Sequence, residues 1–185
     1  MQLYDKDLLS MQEVRELVEA AKEAQKELAN MTQSQVDHIV RAIADAGVRN
    51  ARRLAEMAHE DTGFGKVEDK IIKNIFGSRG VYEYIKDMKT VGELDRDDVK
   101  KVRTIAVPVG VIAGLIPSTN PTSTALYKAE IAIKAGNAIV FSPTPRPCAA
   151  SWRPSRSSGR PSPRRAATRT WCPASPSPPW RPPTT

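Results

Sequence analysis

Residues 105–143 constrain the fold most, because apolar runs alternate there with turn-forming residues. The stretch 105–117 is almost continuously apolar but is cut by proline and glycine, which predicts short buried strands rather than one helix. A second apolar stretch, 138–141, predicts another buried strand that ends at Ser142 and Pro143. The chain between these strands is long enough for one crossover helix.

The residues between the two strands predict that helix. Pro121 suits the first helical position, where its missing N–H costs nothing, and Asn120 before it is a candidate N-cap. Small apolar residues then recur at helical spacing until Gly136 and Asn137 provide an end. The order strand, polar loop, helix, strand is a βαβ unit, and such units bind ligands where the strands end. Neither GxGxxG nor a P-loop is present.

Four amphipathic helices are predicted ahead of this unit. Two begin at capping boxes, residues 10–13 and 32–35, where side chains three residues apart satisfy the first free N–H groups. The third is expected near 51–59, with a stop at Gly63, and the fourth over about 67–86 with a glycine interruption. The first helix is expected to bury one apolar stripe, formed by Met11, Val14, Leu17, Val18, Ala21 and Leu28.

The fourth helix and the segment after it complete the expected lead-in. Its apolar positions are Ile71, Ile72, Ile75 and Phe76. Residues 95–101 are interpreted as a charged turn, and 102–107 as the first clear strand. Residues 1–100 are therefore predicted to be a helical lead-in, and about 101–143 the start of a cofactor-binding βαβ domain.

The last part of the chain, 144–185, has a different composition. It contains eight Arg but no Lys, Asp or Glu, whereas residues 1–143 carry 20 basic and 21 acidic groups, so the net charge of +7 belongs to this tail. It holds 11 of the 15 Pro and no Ile, Leu, Val, Met, Phe or Tyr. Such a segment cannot bury a core, and we predict that it is disordered.

Residues 108–143 read PVGVIAGLIPSTNPTSTALYKAEIAIKAGNAIVFSP. This sequence closely resembles the aldehyde dehydrogenase superfamily. The segments IPSTNPTST and FSP are similar to its CoA-acylating branch, the acetaldehyde and propionaldehyde dehydrogenases, whereas hydrolytic relatives have roughly PWNFP and KP there. The resemblance covers residues 1–143 and implies an α/β fold in which N-terminal helices lead into an incomplete Rossmann-like parallel sheet. It implies that the chain is an N-terminal fragment of a longer family member.

The resemblance implies an oxidoreductase that converts a short-chain aldehyde, coenzyme A and NAD into acyl-CoA and NADH. In that scheme a Cys nucleophile forms a thiohemiacetal, hydride passes to NAD, and the resulting acyl thioester is transferred to coenzyme A. The nucleophile is expected downstream of residue 143. Neither Cys148 nor Cys172 is expected to serve, because both lie in the tail, so the chain as written is predicted to be inactive and only marginally folded.

The resemblance also implies which residues line the site. The loop beside the nicotinamide and the aldehyde is expected to consist of Ile116, Pro117, Ser118, Thr119, Asn120 and Pro121. Thr119 or Asn120 is the expected donor to the developing oxyanion, and the register of the family Asn against these two residues is open. Ser142 and Pro143 are expected beside the adenine ribose. Hydrolytic relatives use a Lys where this sequence has Ser142, so the resemblance does not imply ribose binding through a Lys.

The tail has three interpretations. Its Arg and Trp residues could form a nucleic-acid-binding module, which salt-sensitive binding lost on deleting 144–185 would reveal. Its cysteines could form a disulfide or a metal pair, although nothing near them supports this. We favour a frame shift at the Pro143 codon. Synonymous codons can be chosen for residues 144–152 that, read one base earlier, encode HPAAVRGLL. Joined to residues 141–143 this gives FSPHP, which is similar to the family sequence at this point.

The remaining expectations concern partners and location. A homo-oligomer is implied for the full-length family. No signal peptide or membrane-spanning run is apparent, which favours a cytoplasmic protein. Similar N-terminal helices address some members of this branch to bacterial microcompartments, so the first helix could act as a targeting segment; deleting residues 1–20 would then abolish particle association. No metal site is expected, because His38 and His59 have no second ligand at metal spacing.

Overall fold

A computed structural model describes residues 6–143 of the chain. The tail, with Cys148 and Cys172, lies outside the described residues, as does the start of the predicted lead-in. Within the described part, helices and strands follow one another in this order: α1 Lys6–Ala29, α2 Gln33–Arg49, α3 Ala51–Thr62, α4 Val67–Ile75, a π-helical segment Phe76–Gly80, α5 Val81–Ile85, β1 Gly92–Asp97, β2 Val102–Ala106, β3 Val111–Ile116, α6 Pro121–Lys134 and β4 Ala138–Pro143.

Two of the predicted helix boundaries are confirmed by their capping geometry. At the start of α2, the Thr32 side chain accepts from the Gln35 N–H at 3.4 Å and the Gln35 side chain accepts from the Thr32 N–H at 2.8 Å. At the end of α3, Gly63 adopts the left-handed conformation with φ 70°, which a residue without a Cβ enters at little cost.

The predicted start of the first helix is wrong. Helix α1 already includes Lys6 and passes through Ser10, which is exposed in the helix interior, so no capping box forms there. The residues before Ser10 include good helix formers that extend the helix. Its predicted stripe is buried only at the carboxyl-terminal half: Met11 and Val14 are more than half exposed, whereas Ala21 and Leu28 are buried.

The fourth helix has its predicted interruption but not its predicted inner face. The interruption at the two glycines is a π-helical turn between α4 and α5. The apolar residues Ile72 and Phe76 are 67% and 71% exposed, while Lys70, Asn74 and Ser78 on the same helical run are buried. The inner face is polar because it meets backbone carbonyls and a loop, which lysine and asparagine can satisfy and isoleucine cannot.

A β-hairpin occupies part of the segment interpreted as a charged turn. Strands β1 and β2 pair antiparallel from Gly92 opposite Ala106 to Asp97 opposite Val102, with a bulge between Glu93 and Asp95. The turn itself is confined to residues 98–101. Strand β1 is charged and lacks an apolar face, so neither β propensity nor alternation revealed it.

Strands β3 and β4 form the predicted parallel pair, joined by α6 in a βαβ unit. Helices α1 and α6 both pack on this pair, and Ile116, Ala138 and Ile139 are buried. The expectation of buried strands is wrong for β2 and for part of β3, since Ile105 and Leu115 are 61% and 66% exposed. Within the described residues, no helix packs extensively on the β1–β2 hairpin, so its apolar side chains face solvent.

The main hydrophobic cluster joins the first two helices to α5. It contains Leu28, Val36, Val40 and Ile85, and Ile133 of α6 packs against it from the side of the βαβ unit. This cluster fixes the helical layer relative to α6, and α6 in turn leads directly from the loop after β3. No helix within residues 6–143 is sufficiently long and apolar to cross a membrane.

Candidate functional site

The candidate site lies at the carboxyl edge of the parallel strand pair. In the β3–β4 register, Leu115 lies opposite Ser142 and Ile116 lies opposite Pro143. The loop between β3 and α6 and the end of β4 therefore emerge from the same edge of the sheet, which is where open α/β sheets bind ligands. The two groups of residues that the resemblance implicates are thus adjacent in the fold.

The loop from Ile116 to α6 presents polar groups above a buried base. Ile116 is 7% exposed and anchors the loop in the core. Pro117 and Thr119 are exposed, whereas Ser118 and Asn120 are half-buried. Because the hydroxyl and amide groups remain accessible, they are available to bind a polar ligand.

Asn120 occupies the N-cap position of α6 but does not cap the helix with its side chain. Its backbone carbonyl accepts the Thr124 N–H at 3.3 Å, as expected at an N-cap. Its side-chain Oδ1 instead accepts a hydrogen bond from Lys73 Nζ at 3.1 Å. The lysine on α4 takes the oxygen that a capping asparagine offers to its own helix, so the predicted cap is confirmed in position only.

A second lysine of α4 holds the backbone of the same loop. Lys70 Nζ donates to the Thr119 carbonyl at 2.9 Å, and the Lys70 residue is only 5% exposed. Burial, and then the neighbouring positive charge of Lys73, lower the pKa of the Lys70 ammonium. The loop thus lies against two amino groups that are close to one another.

Asn74, one turn after Lys70 on α4, ties the start of α6 to α3. Its Nδ2 donates to the Ala51 carbonyl at 3.0 Å, and its Oδ1 accepts from the Thr122 hydroxyl at 2.7 Å. Asn74 is 1% exposed. A buried amide with both ends bonded is a rigid connection, so α4 holds the segment around the loop through three polar side chains, those of Lys70, Lys73 and Asn74.

The sequence alone did not single out Lys70 and Asn74 of α4, or Ser78 of the π-helical segment after it, although their spacing is regular. Lys70, Asn74 and Ser78 are spaced four apart and therefore share one helix face, as Lys70 and Lys73 do at a spacing of three. A face on which polar residues repeat at this spacing resembles an ordinary solvated surface. Nothing in the sequence itself indicates that this face, and not the isoleucine face, points inward.

A third lysine contacts the edge without touching the loop residues Thr119 and Asn120. Lys128 Nζ donates to the Leu115 carbonyl at 2.6 Å, and the interaction is exposed. Among the described residues, no group of three or more His, Cys, Asp or Glu side chains lies close enough together to hold a metal ion. The polar chemistry of this edge is therefore that of amide, hydroxyl and ammonium donors, which suits a ligand that carries or develops negative charge.

Comparison with known proteins identifies the fold and its relatives. The sequence is 52% identical over 134 residues to the bifunctional aldehyde-alcohol dehydrogenase AdhE of Escherichia coli K12, covering 72% of this chain and 15% of that protein. The structure matches a probable aldehyde dehydrogenase from Listeria monocytogenes with a TM-score of 0.75 and 66% identity, covering 76% of this chain and 31% of that one.

An acetylating aldehyde dehydrogenase from Geobacillus thermoglucosidasius matches equally well in structure. The TM-score is 0.75 and the identity 59%, over 77% of this chain and 32% of that one. The chain thus spans under a third of the solved relatives it matches. The profile of the Aldehyde dehydrogenase family matches residues 3–153. This match covers most of the sequence, so the chain belongs to the aldehyde dehydrogenase family.

Proposed function

We propose that the protein is the N-terminal part of a CoA-acylating aldehyde dehydrogenase, which oxidises a short-chain aldehyde to acyl-CoA. The observation that carries this proposal is the loop IPSTNP, residues 116–121, held by α4 lysines at the carboxyl edge of the β3–β4 pair. The names of two relatives support the acylating branch, since one is an acetylating aldehyde dehydrogenase and another a sulfoacetaldehyde dehydrogenase described as acylating.

The proposed co-substrates are NAD and coenzyme A. A propionaldehyde dehydrogenase of Rhodopseudomonas palustris, 32% identical, has a structure with bound propionyl-CoA. NAD, when bound, supplies the acceptor for the hydride of the aldehyde. The hydrogen-bond donors at the carboxyl edge of the sheet are compatible with a dinucleotide. Ser142 is exposed and offers a hydroxyl, and the loop between β3 and α6 has no carboxylate that would repel a phosphate.

The loop itself is proposed to bind the reacting oxygen. Asn120 and Thr119 carry amide and hydroxyl donors, and such donors stabilise the negative charge that develops when a thiolate attacks a carbonyl. The remaining loop residues position them, and Ile116 anchors the loop in the core. Ser142 and Pro143 are proposed to lie beside the adenine ribose.

The proposed division of the chain follows the same lines. Residues 1–143 are the family part, and 144–185 are proposed to be a frame-shifted tail. Residues 1–143 contain no cysteine, so the nucleophile is proposed to be encoded downstream in the other reading frame. Resequencing the DNA around the Pro143 codon tests this: an open frame that runs past residue 185 in the other register is expected, and a stop codon soon after residue 143 in that register would contradict the proposal.

Location and assembly are proposed from relatives. A propionaldehyde dehydrogenase of a Clostridium phytofermentans microcompartment is a structural neighbour at 34% identity, which supports a cytoplasmic enzyme that can be packaged in such a particle. The full-length protein is proposed to form a homo-oligomer, with small aldehydes and coenzyme A as its partners.

The activity is tested with two versions of the gene. The 185-residue chain is expected to produce no NADH from acetaldehyde, coenzyme A and NAD. The coding sequence with one base restored at the Pro143 codon, expressed to the next stop in that frame, is expected to produce NADH only when coenzyme A is present. CoA-independent NADH formation by the restored protein would contradict the assignment to the acylating branch. Activity of the 185-residue chain would contradict the proposal that this chain lacks the nucleophilic Cys.

A further inference from the structure

We propose that Lys73 and Lys70 are positioning residues that orient Asn120 as the oxyanion donor of this site, a role that rests on the proposed function. The two lysines fix two different parts of the same residue. Lys73 bonds the side-chain oxygen of Asn120, and Lys70 bonds the carbonyl of the peptide group that contains the Asn120 N–H.

The side-chain argument depends on the chemistry of an amide. An asparagine amide can turn its oxygen or its NH₂ group toward a neighbour. Lys73 has only donors, so its hydrogen bond at 3.1 Å selects the orientation with Oδ1 toward α4. The Nδ2 group must then point away from Lys73, and its contact with the Thr119 hydroxyl is long, at 3.5 Å. Its protons therefore remain available to a ligand oxygen.

The backbone argument depends on the geometry of a trans peptide. The carbonyl of Thr119 and the N–H of Asn120 belong to one planar unit and point in opposite directions. Because Lys70 holds that carbonyl at 2.9 Å, the N–H points away from Lys70. Within residues 6–143 this N–H makes no hydrogen bond of its own, so it forms a second donor beside Nδ2.

The amino groups also act on the strength of these donors. A positively charged donor on a peptide carbonyl polarises the peptide and strengthens hydrogen bonding by its N–H. The same holds for the side-chain amide of Asn120, whose oxygen Lys73 contacts. Both lysines approach from the α4 side, so they place positive charge behind the oxyanion position without occupying it.

The test is NMR spectroscopy of the Asn120 side-chain amide in the 185-residue chain, which requires no catalysis. In the wild type, one amide orientation is expected, in which the Nδ2 protons give nuclear Overhauser contacts to the Thr119 side chain and none to Lys73. In Lys73→Met, the population of the flipped orientation is expected to rise about threefold or more, since the loss is that of one exposed charged bond. Lys73 is exposed, so this variant keeps the fold.

Two further variants separate positioning from a general effect on the loop. Lys73→Arg is expected to restore the single orientation, because arginine also has only donors. Lys128→Met removes a similar lysine-to-carbonyl bond at Leu115 and is expected to leave the Asn120 signals unchanged. An unchanged Asn120 amide in Lys73→Met, or an equal change in Lys128→Met, overturns the inference. Neither result depends on NADH formation, so failure of the proposed function is detected separately.

Discussion

Helices α4 and α6 both bury polar side chains, but they differ in how completely those side chains are partnered. On α4, Lys70 and Asn74 each make a hydrogen bond, as does Ser78 in the π-helical segment that follows. On α6, Lys134 is bonded, but Glu130, one turn earlier, is fully buried and neither carboxyl oxygen has a partner within the described residues. Partnered polar groups orient a neighbouring segment, whereas an unpartnered one only lowers stability.

Within α6, the buried residues Lys134 and Glu130 differ even more clearly in their hydrogen-bond partners. Lys134 Nζ lies 2.6 Å from Asp37 Oδ1 and 2.9 Å from the Lys86 carbonyl, joining α6 to α2 and to the end of α5. Burial raises the pKa of the Glu130 carboxyl to about 8, because no charge or donor offsets the lost hydration. One buried group thus connects three helices, and the other connects none.

Replacing Lys134 by methionine is expected to have the largest effect. Methionine fills similar space but removes the charged partner of Asp37, which keeps only its hydrogen bond from Gln33 Nε2, and removes the donor to the Lys86 carbonyl. The free energy of unfolding is expected to fall by about 3 kcal/mol, at the lower end for a broken buried pair because Asp37 is partly exposed. Urea denaturation followed by circular dichroism measures the change.

A double variant provides the control for this prediction. Removing the carboxylate as well, in Lys134→Met/Asp37→Leu, is expected to recover part of the lost stability, since both partners are then apolar. If the double variant is as unstable as the sum of the two single variants, the pair is not the source of the effect.

Glu130→Gln is expected to cause the next largest change in the free energy of unfolding, an increase that appears only at high pH. The native state holds its carboxyl proton up to about pH 8, whereas the unfolded state loses it near the ordinary value of 4.5. The native state therefore binds more protons in this window, and wild-type stability falls as pH rises from about 5 to 8. Glutamine cannot ionise, so at pH 9 the variant is expected to be more stable by about 2 kcal/mol.

The pH profile distinguishes ionisation from packing. At pH 5, where Glu130 is protonated, Glu130→Gln and the wild type are expected to unfold at the same urea concentration. Glu130→Leu removes the polar group altogether and is expected to be more stable than the wild type at both pH values. Parallel pH profiles for wild type and the glutamine variant would show that Glu130 has a partner.

The sequence predicted those features that depend on local chemistry. The capping box at Thr32, the stop at Gly63, the start at Pro121 and the end near Gly136 are all confirmed, because each depends on a backbone conformation that few residues favour. The βαβ unit follows from the same local signals. The loop residues implicated by the resemblance do lie at the sheet edge, and their roles remain proposals.

The features that were missed depend on what a surface meets in three dimensions. The α4 face looked solvated because the carbonyls that satisfy Lys70 and Asn74 come from residues 119 and 51, distant in sequence. Glu130 resembled any helical glutamate for the same reason. Strand β1 was missed because its pairing with β2, and not an apolar pattern, makes it a strand.

Asn74→Ala removes a buried polar side chain that is hydrogen-bonded at both ends, on α4, and so contrasts with the Glu130 variants, which change a buried side chain without a partner within residues 6–143. It leaves the Ala51 carbonyl and the Thr122 hydroxyl without their partner, so stability is expected to fall by about 1.5 kcal/mol at every pH. Thermal unfolding at pH 5 and pH 9 checks both the size and the absence of a pH trend. A loss that appears at only one pH would indicate an ionisable partner instead.

Ile72→Gln is expected to change the free energy of unfolding least, and it tests whether the polar face of α4 is the one that points inward. Ile72 is 67% exposed, so Ile72→Gln is expected to change the unfolding free energy by less than about 0.5 kcal/mol. If isoleucine were the inner residue, burying an unpartnered amide there would cost several times more. Urea denaturation of Ile72→Gln beside Asn74→Ala ranks the two faces directly. A larger loss for Ile72→Gln would reverse the orientation of α4 and remove Lys70 and Lys73 from the loop.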